Sequence, residues 1–310
     1  MLILSLVMDF KGTLRNIIPL FLLEKYRQYK KKKVRIELQN SAKSGDVVRK
    51  DRLIDDLKNL GIQQGDSVLV HCSMSRIGYM ENGPRTLIDA LKEVVGINGN
   101  ILMPSSPNPS LQLEYVRNQN FFDVNQSPSA LGAVSEAFRK MEGVKRSLSP
   151  TEPVCALGPR ADWFVEGHFG EETPYTLNSP FARLTEVNGK ILYIGVTLDN
   201  AGTSLHLLED AVTDFKFPVY HHEHFIMQIR DESGEIHKVR IKVHNPVFSA
   251  KRKCDQLIPM FVEQGVVQFG QIGKAKTMCF DAAQMLVVMK NEYNERGVTM
   301  YTPHGEEIAQ

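Results

Sequence analysis

The chain has 310 residues, 42% hydrophobic and 24% charged. That composition supplies a sizeable buried core and excludes a disordered or collagen-like chain. The formal net charge is only +1, yet residues 1–43 carry ten Lys or Arg against three acids, so a basic start precedes a net-acidic body.

The chain divides on this basis into an amphipathic basic N-terminal extension, residues 1–43, and a folded body, residues 44–310. Two apolar runs, MLILSLVM and IIPLFLL, open the extension. Both fall short of the roughly 20 residues that span a bilayer. Neither has the leading positive charge and small-residue cleavage site of a secretory signal. The next stretch, KYRQYKKKKVR, suits a helix lying on an anionic membrane surface. A frayed extension, or an arm between the copies of a homo-oligomer, fits the same residues. No recognition motif accompanies the basic run, so nucleic acid is not expected as a partner. Cys72, Cys155, Cys254 and Cys279 form no CxxC pair. Their wide spacing predicts reduced thiols and a cytoplasmic protein, peripheral on the inner membrane face if the extension meets lipid.

In chain order, residues 44–62 place Leu53, Ile54, Leu57 and Leu60 at helical spacing, and Gly61 ends that helix. The run around Val68, Leu69 and Val70 predicts a buried strand. A helix comes next, with Pro84 in its first turn and Gly96 at its end, and then the strand GNILMP. This is a βαβ unit of a parallel sheet. Residues 105–128 read as a long polar loop, of the length that often carries function. Residues 127–141 read as a helix capped by Ser127 or Ser129. PVCALG and GKILYIGV are strands, and the second delivers the chain to TSLHLLED. Residues 217–243 alternate and turn at Glu232-Ser-Gly, an antiparallel hairpin. QLIPMFVEQ and DAAQMLVVMK are helical. The expected fold class is α/β: a βαβ-built, mostly parallel sheet flanked by helices, with an added antiparallel hairpin.

Ligands in such sheets bind beyond the carboxyl ends of the strands. Three loops fall there: HCSMSRIG, MPSSP and the stretch from Thr197 to His206. His206 and Glu209 stand three apart on one helical face. A carboxylate beside an imidazole fixes its tautomer, which suits a base taking a proton from an amine or hydroxyl. A structural histidine–carboxylate pair reads the same way from spacing alone. Cys72 next to His71 is not a nucleophilic dyad, because neighbours on a strand point to opposite faces. His221, His222, Glu223 and His224 supply too few convergent ligands for zinc and read as a solvated or substrate-facing patch.

Taken together, the stretches at residues 68–91, 99–105, 122–140, 143–159, 178–184, 189–210 and 270–282 resemble the aminoglycoside 3-N-acetyltransferase family. The resemblance runs in order over about residues 46–285 and leaves the first 43 uncovered. It implies acetyl-CoA or another acyl-CoA as co-substrate and no metal. It implies His206 as general base supported by Glu209, with direct attack of the amine on the thioester. It places His71, Cys72, Ser73, Met74, Ser75, Arg76, Thr86, Pro104 and Ser105 along the donor, with backbone N–H groups near Ser73 and Met74 for the oxyanion. Asp123, Ser129, Arg146, Ser149 and Thr203 fall on the acceptor side. One departure stands out: the family pattern Arg-Ser-x-His-Pro is Arg146-Ser147-Leu148-Ser149-Pro150 here.

That departure and the basic extension direct the expectation to an N-acyltransferase acting on an amino sugar, carried on a nucleotide and destined for surface polysaccharide. Its diphosphate would need Arg76, Arg85 or Arg146 near the cleft. The alternative is an aminoglycoside 3-N-acetyltransferase conferring antibiotic resistance, whose polycationic acceptor needs acids in the pocket. A non-catalytic, membrane-associated binding protein of the same fold is the third reading.

Overall fold

The computed structural model describes residues 20–108 and 111–305. The two apolar runs at the start of the chain lie outside these residues or outside the described side chains. Two units are distinct, Met1–Val47 and Val48–Gln310. The described part of the first is a helix, α1 (Leu20–Lys43), whose exposed Lys33 and Glu37 pair across one turn. Among the described residues no helix is long and apolar enough to cross a membrane.

The second unit begins with α2 (Lys50–Asn59), which buries Leu53, Ile54 and Leu57. Strand β1 (Ser67–Cys72) comes next, then α3 (Pro84–Val95), then β2 (Asn100–Pro104). Proline at the start of α3 loses no hydrogen bond there, because the first N–H groups of a helix have no partner within it. Beyond β2 come α4 (Gln112–Asn118), β3 (Phe121–Asp123), α5 (Ala133–Arg139), β4 (Lys145–Arg146), β5 (Val154–Leu157), α6 (Pro180–Glu186) and β6 (Lys190–Ile194). The TSLHLLED stretch contains a 3₁₀ turn, Thr203–His206, that runs into α7 (Leu207–Ala211). Strands β7 (Phe225–Arg230), β8 (Ile236–Ile241), β9 (Val267–Ile272) and β10 (Ala275–Asp281) precede the last helix, α8 (Ala282–Arg296).

The large sheet has the order β4-β5-β2-β1-β6-β10-β9. Its centre is parallel: β1 pairs with β2 on one side and β6 on the other. Alternation along these strands divides the core in two. Leu69, Leu102, Ile191 and Tyr193 face a cluster with α6 and α8. Val68, Val70, Ile101, Met103, Leu192 and Ile194 face α2, α3 and α5. Each fully buried aliphatic or aromatic side chain contributes roughly 1.5–3 kcal/mol. The α/β class, the βαβ core and the β7–β8 hairpin all match expectation.

Several differences have local causes. Both edges of the sheet are antiparallel, through β5 with β4 and β10 with β9. β9 and β10 are not announced by the sequence, because the middle of β9 is exposed and polar and shows no alternation. The expected loop 105–128 contains α4 and β3, both too short for a periodic signal. β3 pairs parallel to β7, so the hairpin becomes a three-stranded sheet with its own core around Phe122, Met227 and Ile229. The helix expected over 127–141 starts only at Ala133, because Ser127 and Ser129 are engaged elsewhere. The Ser127 hydroxyl accepts from the Asp123 N–H, and the Ser129 N–H donates to Glu136.

Gly195 turns the chain out of β6 towards the TSLHLLED stretch. Its φ is +66°, and a Cβ there would lie 2.5 Å from the Arg76 Cβ. Gly195→Ala is therefore expected to lose about 1–3 kcal/mol, read as a lower urea midpoint with unchanged slope.

Candidate active site

The carboxyl ends of β1, β2 and β6 open onto a cavity of about 330 Å³. β1 contributes His71 and Cys72, β2 contributes Pro104, and the stretch after β6 contributes Thr203 and His206. His71 stacks on Tyr193 with ring centroids 5.0 Å apart, and its Nε2 lies 3.3 Å from the Thr203 hydroxyl. Burial lowers its pKa to about 3, so it is neutral. Burial also pushes the Cys72 thiol up to about 12, which leaves no thiolate for nucleophilic attack. All four cysteines are free.

The short 3₁₀ turn ends in His206, and α7 carries Glu209 beneath it. His206 Nδ1 lies 3.0 Å from Glu209 Oε2. Two further donors reach the same carboxylate: His244 Nε2 at 2.8 Å from Oε2, and the Tyr301 hydroxyl at 2.6 Å from Oε1. Burial raises the Glu209 pKa, but the interactions with His206 and His244, hydrogen bonds among them, outweigh it and hold the carboxyl below its ordinary range. Burial lowers His206 to about 4, against the pull of Glu209. The pair is thus a carboxylate beside a neutral imidazole.

The other imidazole nitrogen settles the tautomer. Arg252 Nη1 lies 2.8 Å from His206 Nε2. A guanidinium only donates, so Nε2 carries the lone pair and Nδ1–H donates to Glu209. The lone pair points at Arg252, and both residues line the cavity. Tyr175 stacks on the His206 ring at 4.7 Å and limits its rotation. Glu152 lines the same cavity and accepts a hydrogen bond from Gln112.

His206, Glu209 and His244 could also be read as a metal triad. Ligands about 2.0–2.2 Å from zinc sit roughly 3.3 Å from one another in a tetrahedral site. The observed 2.8 and 3.0 Å contacts, both to one carboxylate oxygen, are the lengths of N–H···O bonds. Asp231, Glu235 and His237 form a second such group at the β7–β8 turn, away from the cavity. Of His221, His222, Glu223 and His224, the Glu223 carboxylate lies within 4.0 Å of the first two, which stack on each other, while His224 turns away to Glu172.

Of the residues the sequence singled out, His71, Cys72, Pro104, Thr203 and His206 line the cavity, with Glu209 directly behind. Ser73 and Ser75 lie next to that wall, and their hydroxyls face each other at 3.4 Å. The Ser73 N–H donates to Ile194 O, so it is not a donor for an oxyanion. Met74 packs on the α3 side of the core, Arg76 is exposed, and Thr86 is buried inside α3. Ser105 is fully buried and binds the Arg146 guanidinium through its hydroxyl and carbonyl. Arg146 itself also holds Val124 O and Ser127 O. Asp123 anchors the turn at Asn125 and Gln126 and pairs with Arg230. Ser129 meets Ser135, and the Ser149 hydroxyl accepts from the Glu152 N–H. None of Ser105, Asp123, Ser129, Arg146 and Ser149 lines the cavity.

The diphosphate reading therefore loses its cations. Arg76 and Arg146 are placed as above, and Arg85 pairs with Asp89 along α3. Among the described residues Arg252 is the guanidinium in the cavity wall. Sequence reasoning missed Arg252, His244, Tyr301 and Glu152. No local spacing joins them to His206, since each arrives from a distant segment.

The matches to known proteins agree with this geometry. The family described as aminoglycoside 3-N-acetyltransferase matches residues 69–293. Aminoglycoside N(3)-acetyltransferase VIII of Streptomyces fradiae is 34% identical over 180 residues, 54% of this chain and 62% of that protein. The match thus spans a little under two thirds of that relative. Aminoglycoside N(3)-acetyltransferase IX of Micromonospora chalcea is 30% identical over 261 residues, 77% of this chain and 91% of that protein. The crystal structure of aminoglycoside acetyltransferase AAC(3)-Xa superimposes with a TM-score of 0.70 at 26% identity, covering 84% of this chain and 98% of that one. A binary complex of AAC-IIIb with CoASH gives 0.67 at 26% identity, covering 80% and 97%.

Three buried histidines make stability depend on pH. His71 has a pKa of about 3, and His168 and His206 of about 4, each lowered first by burial. Unfolded, each titrates near its ordinary value of about 6.5. Between these values the unfolded chain binds protons that the fold refuses. Stability is fully present above about pH 6.5 and falls as pH drops, by about 1.4 kcal/mol per pH unit for each histidine. The urea midpoint is expected to fall from pH 7 to pH 5, and His168→Gln to flatten that slope.

Proposed function

We infer the activity from the family and the site together: the chain belongs to the aminoglycoside 3-N-acetyltransferase family. Its function is transfer of an acetyl group from acetyl-CoA to an amine of an aminoglycoside-type amino sugar. The observation that carries this reading is the orientation of His206. Its Nδ1–H is held by a buried carboxylate, which leaves the lone pair on Nε2, and the residue lines the cavity beside Arg252, the group that Nε2 meets. The names of the relatives and the CoASH-bound neighbour support the donor and the acceptor class. The nucleotide-sugar reading is dropped, because the arginines it required lie outside the cavity and the relatives are named for aminoglycosides.

In the proposed reaction the acceptor amine nitrogen attacks the thioester carbonyl carbon. His206 Nε2 takes the amine proton as the C–N bond forms. The carbonyl π bond opens to an oxyanion and re-forms as the C–S bond breaks. The coenzyme A thiolate then leaves with the proton returned from the imidazolium. Glu209 stabilises that imidazolium and keeps its ring in place. Glu152, whose pKa burial raises, lines the cavity wall and would gain its charge on meeting a second ammonium of the acceptor.

The test is thiol release from acetyl-CoA with an aminoglycoside acceptor. His206→Ala is expected to lower kcat/KM by about 10²–10⁴-fold, and Glu209→Gln by about tenfold or more. Full activity in His206→Ala would overturn the base assignment. No release with any aminoglycoside, from folded protein, would overturn the acceptor class.

For the extension we propose contact with an anionic surface, supported by the lysine run at residues 30–33. Co-sedimentation with vesicles containing anionic lipid, lost at high salt, is the expected result. Equal binding to neutral vesicles would refute it.

A further inference from the structure

The contact between Arg252 and His206 has a consequence for the working cycle. The Nε2 lone pair that must take the acceptor's proton is already occupied by the Arg252 guanidinium at 2.8 Å. One in-plane lone pair accepts one donor. The acceptor amine and Arg252 therefore exclude each other at this atom.

Charge strengthens the exclusion. Once His206 has taken a proton, an imidazolium would stand against a permanently charged guanidinium. The groups facing His206 are Glu209 from α7, His244 from the segment after β8, Arg252, and the ring of Tyr175. Glu209 favours the protonated ring and Arg252 opposes it.

Arg252 is also lightly held. Its other hydrogen bond runs from Nε to the Ser249 carbonyl at 3.2 Å. Among the described residues no carboxylate lies within ion-pair distance of it, whereas exposed guanidinium groups such as those of Arg85 and Arg296 are paired. A half-buried guanidinium with no direct ion pair, reached by the charge of Glu152 only through space and donating to a neutral imidazole, is placed at a cost.

We propose that Arg252 is a displaceable cap on the general base, which silences His206 until an acceptor amine replaces it. The proposal rests on His206 being the base. Its benefit is chemical. With acetyl-CoA bound and no acceptor, an uncapped His206 would take a proton from water. The water oxygen would then attack the thioester carbon, the C–S bond would break, and acetate and free thiol would form. With Nε2 capped, water finds no base. A polyamine acceptor arrives with its own N–H donors and displaces the guanidinium by occupying its place. Arg252 is thus a positioning residue, acting through His206 on both hydrolysis and acceptor entry.

The experiment compares wild type, Arg252→Ala, Arg252→Lys and His206→Ala, each checked for folding by its urea transition. Three quantities are read: thiol release from acetyl-CoA with an aminoglycoside acceptor, the same release without acceptor, and the His206 ring pKa by nuclear magnetic resonance of labelled histidine. Arg252→Ala is expected to raise acceptor-free release about tenfold and to raise the ring pKa by about one unit, a tenfold gain in proton affinity. Arg252→Lys, which keeps a cationic donor, is expected to restore most of both. The Arg252→Ala His206→Ala double variant is expected to lose the added hydrolysis. Unchanged hydrolysis and an unchanged ring pKa in Arg252→Ala would overturn the cap, while His206→Ala inactive in transfer would leave the base assignment standing. A fall in transfer without either change would also overturn it, assigning Arg252 to support of the transition state. Transfer that survives in His206→Ala would instead remove the base on which the cap depends.

Discussion

A buried carboxylate governs this molecule. Glu209 sits out of water, where an unpaired charge would cost several kcal/mol. Three donors offset that cost, and each comes from a different part of the chain. His206 stands one turn before it, His244 lies after β8, and Tyr301 comes after α8. The carboxylate therefore forces three segments to meet at one point. The small β3-β7-β8 sheet gains a purpose from this: it ends by delivering His244. Gln112 of α4 secures that delivery by accepting from the His244 N–H, and it donates in turn to Glu152. One path of hydrogen bonds thus runs from His206 through Glu209, His244 and Gln112 to Glu152 in the cavity wall.

The large sheet contributes position rather than chemistry. Its parallel centre ends three strands on one side, and the loops that leave them make the cavity. Fully buried aliphatic residues on both faces hold those ends rigid. Where the chain leaves β6 it must turn sharply, with the Arg76 side chain pressed against Gly195. The turn then leads within a few residues to Thr203–His206, so the stiffness of the strand is passed to His206.

The sequence disclosed half of this arrangement. Val68–Val70, the 99–105 stretch and the run before Gly195 announced the central strands, because fully buried strands are continuously apolar. His206 and Glu209 were legible because three-residue spacing on a helix is local, and because the stretch resembles a known motif. His244, Arg252 and Tyr301 were not legible. They lie 38, 46 and 95 positions from His206, and only the fold brings them near. Polar residues near the predicted strand ends were read as binding groups, yet Ser105 and Arg146 turned out to satisfy each other inside the fold. Side-chain type at a strand end announces chemistry, but the direction of the side chain decides it. Ser149, where the family pattern has histidine, holds the backbone at Glu152 and so shapes the cavity wall from behind.

Tyr301 adds a matter of timing. Its hydroxyl is the third donor to Glu209, and it lies 92 residues further along the chain. A ribosome adds residues in order. The parallel strands β1, β2 and β6, with His206 and Glu209, all leave the tunnel well before Tyr301 does. Until then a nascent chain that has closed its core carries a carboxylate one donor short, and burying that charge is uphill. The Glu209 site is thereby completed only when Tyr301 arrives, in a chain whose sheet and α8 are already in place.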